Sequence, residues 1–527
     1  MAETTDPKHR KHSLGSVAVV GAGASGLAAA YRLKAAGVAV TVFETQNAVG
    51  GKIQSFSQNG LIWEKGPNTM AENDPEVSFL IDDLQLREQQ QFPVLQNKRY
   101  IVRNGRPEML PSNPLSILST KLLSAQSKAR IFLEPFLWKR KPAQPNDSKS
   151  LRFCSVANFL GRHFGHEVVE YLVDPFVAGT SGADPDSISV HHSFPDLWAL
   201  EESYGSLIVG GIKSGIKKKK EAKQKDNKIQ DERMQLAASS KRSRGSFSFR
   251  GGMQTLAKAL AEKVGGESLQ LNSVVIGLAS NQQGNPLRNN WTVSYLKGGS
   301  SKKEQKNFDA VILTTPFHEM QQLGVMKDGQ KYPLDYFPEV VYQPMSVLVM
   351  AFETDRVKQA LEGFGILVPR KEQANGFQTL GTLFSSSMFP DRAPAGQVVF
   401  TTFIGGSRNR ALAAAPLEEL QEVALKDLQR LVGVDGSPVS IKHLYWERAF
   451  PQYSLGYSSF LDSLKKMEME LPGLLYAGNH RGGLAVGKAL AAGCRAGDQV
   501  LSMLEATGGD KIFTMAMAEP QVSLAFC

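Results

Sequence analysis

The chain has 527 residues, of which 42% are hydrophobic, and its three cysteines, Cys154, Cys494 and Cys527, lie far apart. This length exceeds what one hydrophobic core usually carries, so we expect two or three subdomains, while the odd, scattered cysteines fit a reducing compartment and offer no paired spacing for a metal or redox site. The formal charge of +9 does not indicate nucleic-acid binding. Twelve Lys and Arg against four Asp and Glu lie between Lys213 and Arg244, so this one stretch carries +8 and the rest of the chain is nearly neutral.

The hydropathy of the chain predicts at most a peripheral contact with a membrane. No run approaches the roughly 18 to 20 apolar residues needed to cross a bilayer. The polar start, MAETTDPKHRKHS, contains no apolar stretch typical of a secretory signal. This start does not identify an organelle.

The first predicted element is a βαβ unit from Ser16 to Glu44, in which apolar SVAVV precedes the turn GAGASG, a helical LAAAYRLKAAG and a second strand VAVTVFE. In this turn Gly21 lets the chain leave the strand sharply and Gly23 lets backbone approach a pyrophosphate. Gly26 lets the helix pack on the strand, while the helix N-terminus favours the phosphate charge. The unit therefore predicts a dinucleotide site.

Two features after the turn refine this prediction. Glu44 ends the second strand and is placed to accept hydrogen bonds from ribose hydroxyls, which disfavours a 2′-phosphate. The loop AVGGK, from Ala48 to Lys52, has paired glycines that admit close backbone approach, and Lys52 could neutralise phosphate charge. An ordinary loop is the alternative for this second feature.

The middle of the chain predicts one mainly helical and one mainly β insertion. The stretch from Leu115 to Lys141 interleaves Leu, Ile, Phe and Trp138 with Lys and Arg, which favours an interfacial membrane patch, with a buried helical subdomain as the alternative. The lysine-rich stretch beyond it predicts a flexible surface loop. The predicted domains are residues 15–95, 250–325 and 440–506 for a discontinuous dinucleotide-binding domain, 96–205 for the helical membrane-associated subdomain, 206–249 for the basic loop and 326–439 for the substrate-binding domain.

Two apparent motifs are rejected. Gly482 to Lys488 has the spacing of a phosphate-binding loop, but Ala489 stands where such a loop needs Ser or Thr for magnesium. His191 and His192 have no acidic or sulfur partners at helical spacing, so we expect a hydrogen-bonding pair at a helix start and no metal site. No catalytic triad is visible, and we predict no catalytic side chain.

The βαβ unit, the following GGK and the late strand and turn YAGN together resemble the FAD-containing monoamine oxidase superfamily. Within it, longer strings resemble the plant protoporphyrinogen IX oxidases of the mitochondrial type over nearly the whole chain. Ala48 departs from the superfamily pattern, which usually has a basic residue there, and the loop from Thr180 to Pro185 departs from the plant pattern. The strings that carry the second resemblance are Gln96–Gly105, Leu110–Pro114, Asp174–Thr180, Gly245–Leu256, Leu380–Pro394, Gly405–Arg410 and Ala477–Leu490.

The resemblance implies an α/β fold, with a Rossmann-like FAD-binding domain, a mixed α+β substrate domain and a helical membrane-associated insertion. It implies FAD as cofactor, contacted by Gly21, Gly23, Ser25, Gly26, Glu44, Gly51, Lys52, Gly66, Asn68, Gly478 and Val486. It implies substrate contacts from Arg99, which would bind a propionate, from Gly179, and from Leu367, Leu383 and Phe403, which would enclose a pyrrole ring.

The implied activity is the six-electron oxidation of protoporphyrinogen IX to protoporphyrin IX in haem and chlorophyll biosynthesis. FAD would remove two electrons in each of three steps and pass them to dioxygen. The expected location is the mitochondrial inner membrane, with peripheral contact, and the chloroplast is a second location. The sequence leaves the oligomeric state open, with a homodimer as one alternative. A flavin amine oxidase of the same fold and a non-catalytic tetrapyrrole-binding protein are the alternatives.

Overall fold

The computed structural model describes residues 14–137, 154–217, 245–280, 290–359 and 361–508. Its first large element is a five-stranded parallel sheet, formed by the apolar runs that flank the glycine turn. These strands are almost wholly buried, as is typical of parallel sheets covered on both faces. In sheet order they are Leu269–Gln270, Ala39–Phe43, Ser16–Val20, Ala310–Leu313 and Leu474–Tyr476.

Helices cover one face of this parallel sheet because their apolar stripes match its buried side chains. The first helix, Ala24–Ala35, packs along the last one, Val486–Gly508. The helices Pro75–Asp83 and Gln254–Val264 complete the same core. The helix Tyr457–Glu470 packs against the aromatic core on the other face.

A second, five-stranded sheet contributes Trp291 and Tyr295 to that aromatic core. Its strands are antiparallel except for one parallel pair, and their order is Lys303–Phe308, Trp291–Lys297, Ser273–Ser280, Gly324–Lys327 and Gln330–Lys331. Smaller pairings join Ser55–Gln58 to Leu61–Glu64, and Ser246–Phe249 to Met70–Ala71 and Gln90–Gln91.

The third large element is a seven-stranded sheet, which carries the predicted substrate contacts. One of its faces is buried under the helix Leu417–Val432, through alternate residues such as Leu348, Met350 and Ile366. In sheet order its strands are Ser440–Pro451, Tyr342–Glu353, Gln397–Gly405, Gly381–Leu383, Gly365–Leu367, Arg99–Arg103 and Arg106–Met109.

The helical part lies against the far edge of the seven-stranded sheet, where Leu122, Leu123 and Ile101 share a small core. Its helices are Pro114–Ser119, Ala125–Leu137, Val156–Phe164, His166–Val168, a π-turn at Val169–Val173, Asp174–Ser181, Val190–Ser193 and Pro195–Tyr204, followed by a helical segment at 207–217. Short helical turns elsewhere are Arg87–Gln89, Gly266–Ser268, Phe317–Met320, Thr354–Arg356, Arg370–Asn375, Ser385–Met388, Pro390–Arg392 and Arg410–Ala413.

The α/β architecture with a Rossmann-like domain is confirmed, but several predicted boundaries are wrong. Arg99–Arg103 and Arg106–Met109, placed in the helical subdomain, are strands of the seven-stranded sheet, and Ser440–Pro451, placed in the dinucleotide domain, is its edge strand. The predicted basic loop, 206–249, includes residues that form regular structure, since 207–217 is helical and Ser246–Phe249 is a buried strand. Most of that loop, 218–244, lies outside the described residues.

Candidate functional site

The predicted pyrophosphate turn has the geometry that its glycines indicate. Gly21 has φ of +106° and donates its N–H to the carbonyl of Phe43 over 2.8 Å. A methyl group on Gly26 would collide with the carbonyl of Gly21. Gly23 is the N-cap of Ala24–Ala35 and no side chain caps that helix. The first N–H groups of the helix are therefore oriented to bind an anion.

The paired glycines of the second motif lie directly against this turn. Gly50 donates its N–H to the carbonyl of Ala22 over 2.8 Å and forms a β-bridge with Gly23. A Cβ on Gly51 would lie 3.1 Å from the Cα of Gly23. Two glycine segments separated in the sequence thus form one backbone-lined surface.

Glu44 sits beside the same turn, where the sequence placed it. Its Oε2 accepts from the N–H of Ala22 over 2.8 Å and its Oε1 accepts from the N–H of Gln46 over 2.9 Å. Each carboxylate oxygen keeps a second lone pair. Nearby, at the carboxyl end of the strand Ala310–Leu313, the buried Oγ1 of Thr315 has no hydrogen-bond partner, as expected beside a polar ligand.

The side chain of Lys52 extends to the edge strand of the seven-stranded sheet. Its Nζ donates to the carbonyls of Arg448 and Ala449, over 3.1 and 2.5 Å, and lies 5.8 Å from the ring of Trp446. Burial lowers the pKa of this ammonium to about 8. Lys52 therefore joins the two domains through those carbonyls. Its role in neutralising phosphate charge stays a prediction.

The late glycine segment completes the surface. Ser25 donates its Oγ to the carbonyl of Ala489 over 2.8 Å, which holds the first helix to the last, where Val486 forms the first turn. Gly478, with φ of +141°, has Ser25 as its nearest neighbour, 4.0 Å from an added Cβ to the Oγ. Gly21, Gly23, Ser25, Gly26, Glu44, Gly51, Gly478 and Val486 are thereby brought to one side of the parallel sheet.

Gly66 and Asn68 lie in a loop next to that surface. A Cβ on Gly66 would collide with the carbonyl of Lys52, so this loop packs tightly against the second glycine motif. The Nδ2 of Asn68 donates to the carbonyl of Gly66 over 3.4 Å and the side chain remains half-buried. Both residues are near the predicted cofactor surface.

A hydrogen-bond network around His480 was missed by the sequence reasoning. His480 is 2% exposed, its Nε2 hydrogen-bonds the hydroxyl of Tyr342, and its Nδ1 lies 3.1 Å from the hydroxyl of Tyr476. Burial lowers the pKa of this imidazole to about 3, so it is neutral at pH 7. Tyr476 lies only four positions before His480, in the late glycine segment, whereas Tyr342 is 138 positions away, so the contact with Tyr342 could not be read from the sequence.

The four predicted side chains of the substrate site occupy one face of the seven-stranded sheet. Paired residues of neighbouring strands project to the same face, as do alternate residues along a strand. Two registered rows define this face. The first row is Ile101, Leu367, Gly381, Phe403 and Val347, and the second is Arg99, Gly365, Leu383, Thr401 and Val349.

Glycine at two positions in these rows is required by the backbone. A Cβ on Gly381 would lie 2.6 Å from the carbonyl oxygen of Ile366, and one on Gly365 would lie 3.0 Å from the Cα of Leu383. The face therefore has a bare backbone floor between its apolar side chains. Leu367, Leu383 and Phe403 are each half-buried on that face.

Gly179 and Arg99 both lie beside the strand Gly365–Leu367 of this floor. The helix Asp174–Ser181 places Gly179 so close to Leu367 that a methyl group on the glycine would collide with the leucine Cδ2. The guanidinium of Arg99 lies 4.5 Å from the ring centroid of Phe364, and its Nε donates to the carbonyl of Gln96 over 3.2 Å. The structure thus brings the five residues that were predicted to contact substrate together at this face.

The histidine pair adopts the predicted helix-start position. His191 and His192 lie in the short helix Val190–Ser193 with their rings 4.6 Å apart, and His192 Nε2 is 2.9 Å from the hydroxyl of Ser458. Over the ranges that the structure describes, no group of three or more His, Cys, Asp or Glu could hold a metal ion. Within those ranges no helix is long and apolar enough to cross a membrane.

The class of this protein follows from a family match. The profile of the flavin containing amine oxidoreductases matches residues 24–501, and the chain belongs to that family. Its cofactor is therefore FAD, and the two glycine segments, the uncapped helix and Glu44 form a surface that fits the dinucleotide. The solved cyclohexylamine oxidase of Brevibacterium oxydans shares the fold, with a TM-score of 0.62 at 17% identity over 93% of this chain and 99% of that one.

Particular relatives are much closer in sequence. The chain is 52% identical over 495 residues to "Protoporphyrinogen oxidase 2, chloroplastic/mitochondrial" of Arabidopsis thaliana, covering 94% of this chain and 95% of the relative. It is 52% identical over 502 residues to "Protoporphyrinogen oxidase, mitochondrial" of Nicotiana tabacum, covering 95% and 97%. The likeness thus spans both domains.

Proposed function

We propose that this protein oxidises protoporphyrinogen IX to protoporphyrin IX, with FAD as cofactor and dioxygen as the final electron acceptor. The observation that carries the proposal is the sheet face with a cation at its edge and apolar walls around a bare floor. Such a face suits a bulky, apolar macrocycle that carries carboxylates. The names of the two relatives at 52% identity support the same substrate.

The side chains on this face would bind and orient the substrate. Arg99 would meet one propionate, because a guanidinium offers two parallel N–H donors to a carboxylate. Leu367, Leu383 and Phe403 would enclose one pyrrole ring and exclude water from it, and Gly179 would let the macrocycle approach the helix backbone. Their contribution is orientation, and none supplies acid–base chemistry.

The cofactor side is proposed on the same basis. The turn from Gly21 to Gly26 would hold the pyrophosphate and Glu44 the adenosine ribose, while Gly51, Gly66, Asn68, Gly478 and Val486 would line the remainder. Lys52 would act by joining the domains. When bound, FAD supplies the oxidising chemistry, accepting two electrons in each of three turns and passing them to dioxygen.

The deciding experiment uses the purified protein with FAD bound. We expect porphyrin fluorescence to appear from protoporphyrinogen IX in air, and flavin absorbance to bleach when that substrate is added without oxygen. Bleaching with amines and none with the porphyrinogen would favour the amine oxidase instead. Unchanged absorbance with tight tetrapyrrole binding would favour the non-catalytic protein.

A peripheral membrane contact is part of the proposal. The helices Pro114–Ser119 and Ala125–Leu137 expose Leu115 by 79% and Phe136 by 74%, with other apolar side chains beside them. Basic side chains among them would favour an anionic lipid surface. Phe136→Ser should weaken sedimentation with anionic vesicles, whereas Met469→Ser, at a 72% exposed site elsewhere, should not; equal binding by both variants would refute this contact.

The cellular setting is proposed from the relatives, one named mitochondrial and the other chloroplastic and mitochondrial. We place the protein at the mitochondrial inner membrane, with the chloroplast as the second location, where a fluorescent fusion would accumulate. We also propose a homodimer. Sedimentation velocity at micromolar concentration would give a single species of one chain if that assignment is wrong.

A further inference from the structure

A buried ion pair joins the two elements between which Gly179 meets Leu367. The Nη2 of Arg408 lies 2.8 Å from Oδ2 of Asp174, and the two side chains are only 1% and 8% exposed. Neither residue lies on the substrate face. Burial lowers the pKa of this guanidinium, although the adjacent carboxylate opposes that effect.

Each partner holds a different element. Asp174 begins the helix Asp174–Ser181, and its Oδ2 also accepts from the N–H of Arg370 over 2.7 Å. Arg408 donates its Nη1 to the carbonyl of Val368 over 2.5 Å, immediately after Leu367. The guanidinium therefore ties the start of the helix to the end of the strand.

The helix and the strand meet beside the proposed substrate face, where Gly179 contacts Leu367. A methyl group on Gly179 would lie 2.4 Å from the Cδ2 of Leu367, so the leucine side chain would have to change its conformation. Arg408 spans both acceptors with one planar group, which an ammonium cannot reproduce. We infer that Asp174 and Arg408 form a positioning pair that sets the spacing of the substrate pocket, an inference that rests on the proposed function.

A second ion pair provides a matched control. Lys371 Nζ lies 2.8 Å from Glu170 Oε2 and links the same two regions, yet these side chains are 54% and 43% exposed. Exposed pairs contribute little because water screens them. Removing this exposed pair should leave KM unchanged. Lys371→Met therefore shows whether an effect of removing the Asp174–Arg408 pair is specific to that buried ion pair.

The test compares steady-state kinetics of flavin-loaded variants. We expect Arg408→Lys and Asp174→Asn to raise KM for protoporphyrinogen IX by about tenfold, with kcat and flavin content retained, and Lys371→Met to match the wild type. Unchanged KM in both pair variants overturns the inference, as does an equal rise in Lys371→Met. If neither pair variant loads flavin, the pair supports folding and the inference also falls.

A double-mutant cycle with Gly179→Ala separates positioning from general stability. In the wild type the added methyl should raise KM because it collides with Leu367. In Arg408→Lys the helix can shift, so the same methyl should raise KM by a smaller factor. Additive effects overturn the positioning role. Wild-type protein that turns over no porphyrinogen would instead remove the proposed function itself.

Discussion

Removal of the Arg99 guanidinium tests the substrate site most directly. The side chain lies at the edge of the substrate face, half-buried and 4.5 Å above the ring of Phe364. This stacking and the hydrogen bond to Gln96 restrain the guanidinium before substrate binds. Arg99→Ala should therefore weaken binding of a propionate without disturbing the flavin surface.

The expected magnitude follows from the hydrogen bonds lost. A hydrogen bond to a charged group contributes about 1.5–3 kcal/mol, and about 1.4 kcal/mol corresponds to a factor of ten. Because Arg99 is only half-buried, water screening favours the lower part of this range. We expect KM to rise by about 10- to 30-fold with kcat little changed, since orientation at the other contacts remains.

The assay is steady-state porphyrin fluorescence with two substrates, protoporphyrinogen IX and its dimethyl ester. The ester has no carboxylate, so Arg99→Ala should raise KM for the diacid only. Lys98→Ala is the control, because Lys98 is the neighbouring cation and pairs with Glu362 at the surface. An equal change for both substrates, or none for the diacid, would contradict the reasoning.

Three further predictions concern the glycines and one carboxylate. Gly179→Ala should raise KM severalfold with flavin retained, because its methyl collides with Leu367; an unchanged KM would count against that contact. Gly26→Ala should lower the melting temperature of the flavin-free protein, whereas Gly23→Ala, where a methyl has space, should weaken only FAD affinity in a titration. Burial raises the pKa of Glu167, but hydrogen bonds from two serines and an arginine outweigh it and lower that pKa to about 2. Its stabilisation relative to Glu167→Gln should be complete above pH 4.5 and lost as pH falls towards 2; parallel denaturation curves across that range would refute it.

The dinucleotide site was predictable because its chemistry is local. The turn from Gly21 to Gly26, the helix after it and Glu44 lie within one short segment, where strand, turn and helix patterns follow in order. Backbone that must bend sharply needs glycine at fixed spacing. The residues of the proposed substrate face were predicted differently, from the resemblance that the long matched strings carry.

Tertiary structure decided how remote segments combine. The sequence predicts Arg99–Arg103 as part of a helical region, yet in the structure it pairs with Gly365–Leu367. This pairing could not be predicted, because neither segment alone indicates which distant strand it will hydrogen-bond. The same applies to Lys52, whose ammonium donates to the carbonyl of Ala449, 397 positions away.

Burial of charge is the clearest case of what only the fold determines. Asp174 and Arg408 are 234 positions apart and each looks like an ordinary surface residue in the sequence. Their pairing depends on a helix and a strand meeting over Leu367. The sequence by itself determined the cofactor turn and the family, through local backbone requirements and long matched strings. Packing between distant segments decided which residues share the proposed substrate face and brought Asp174 and Arg408 together.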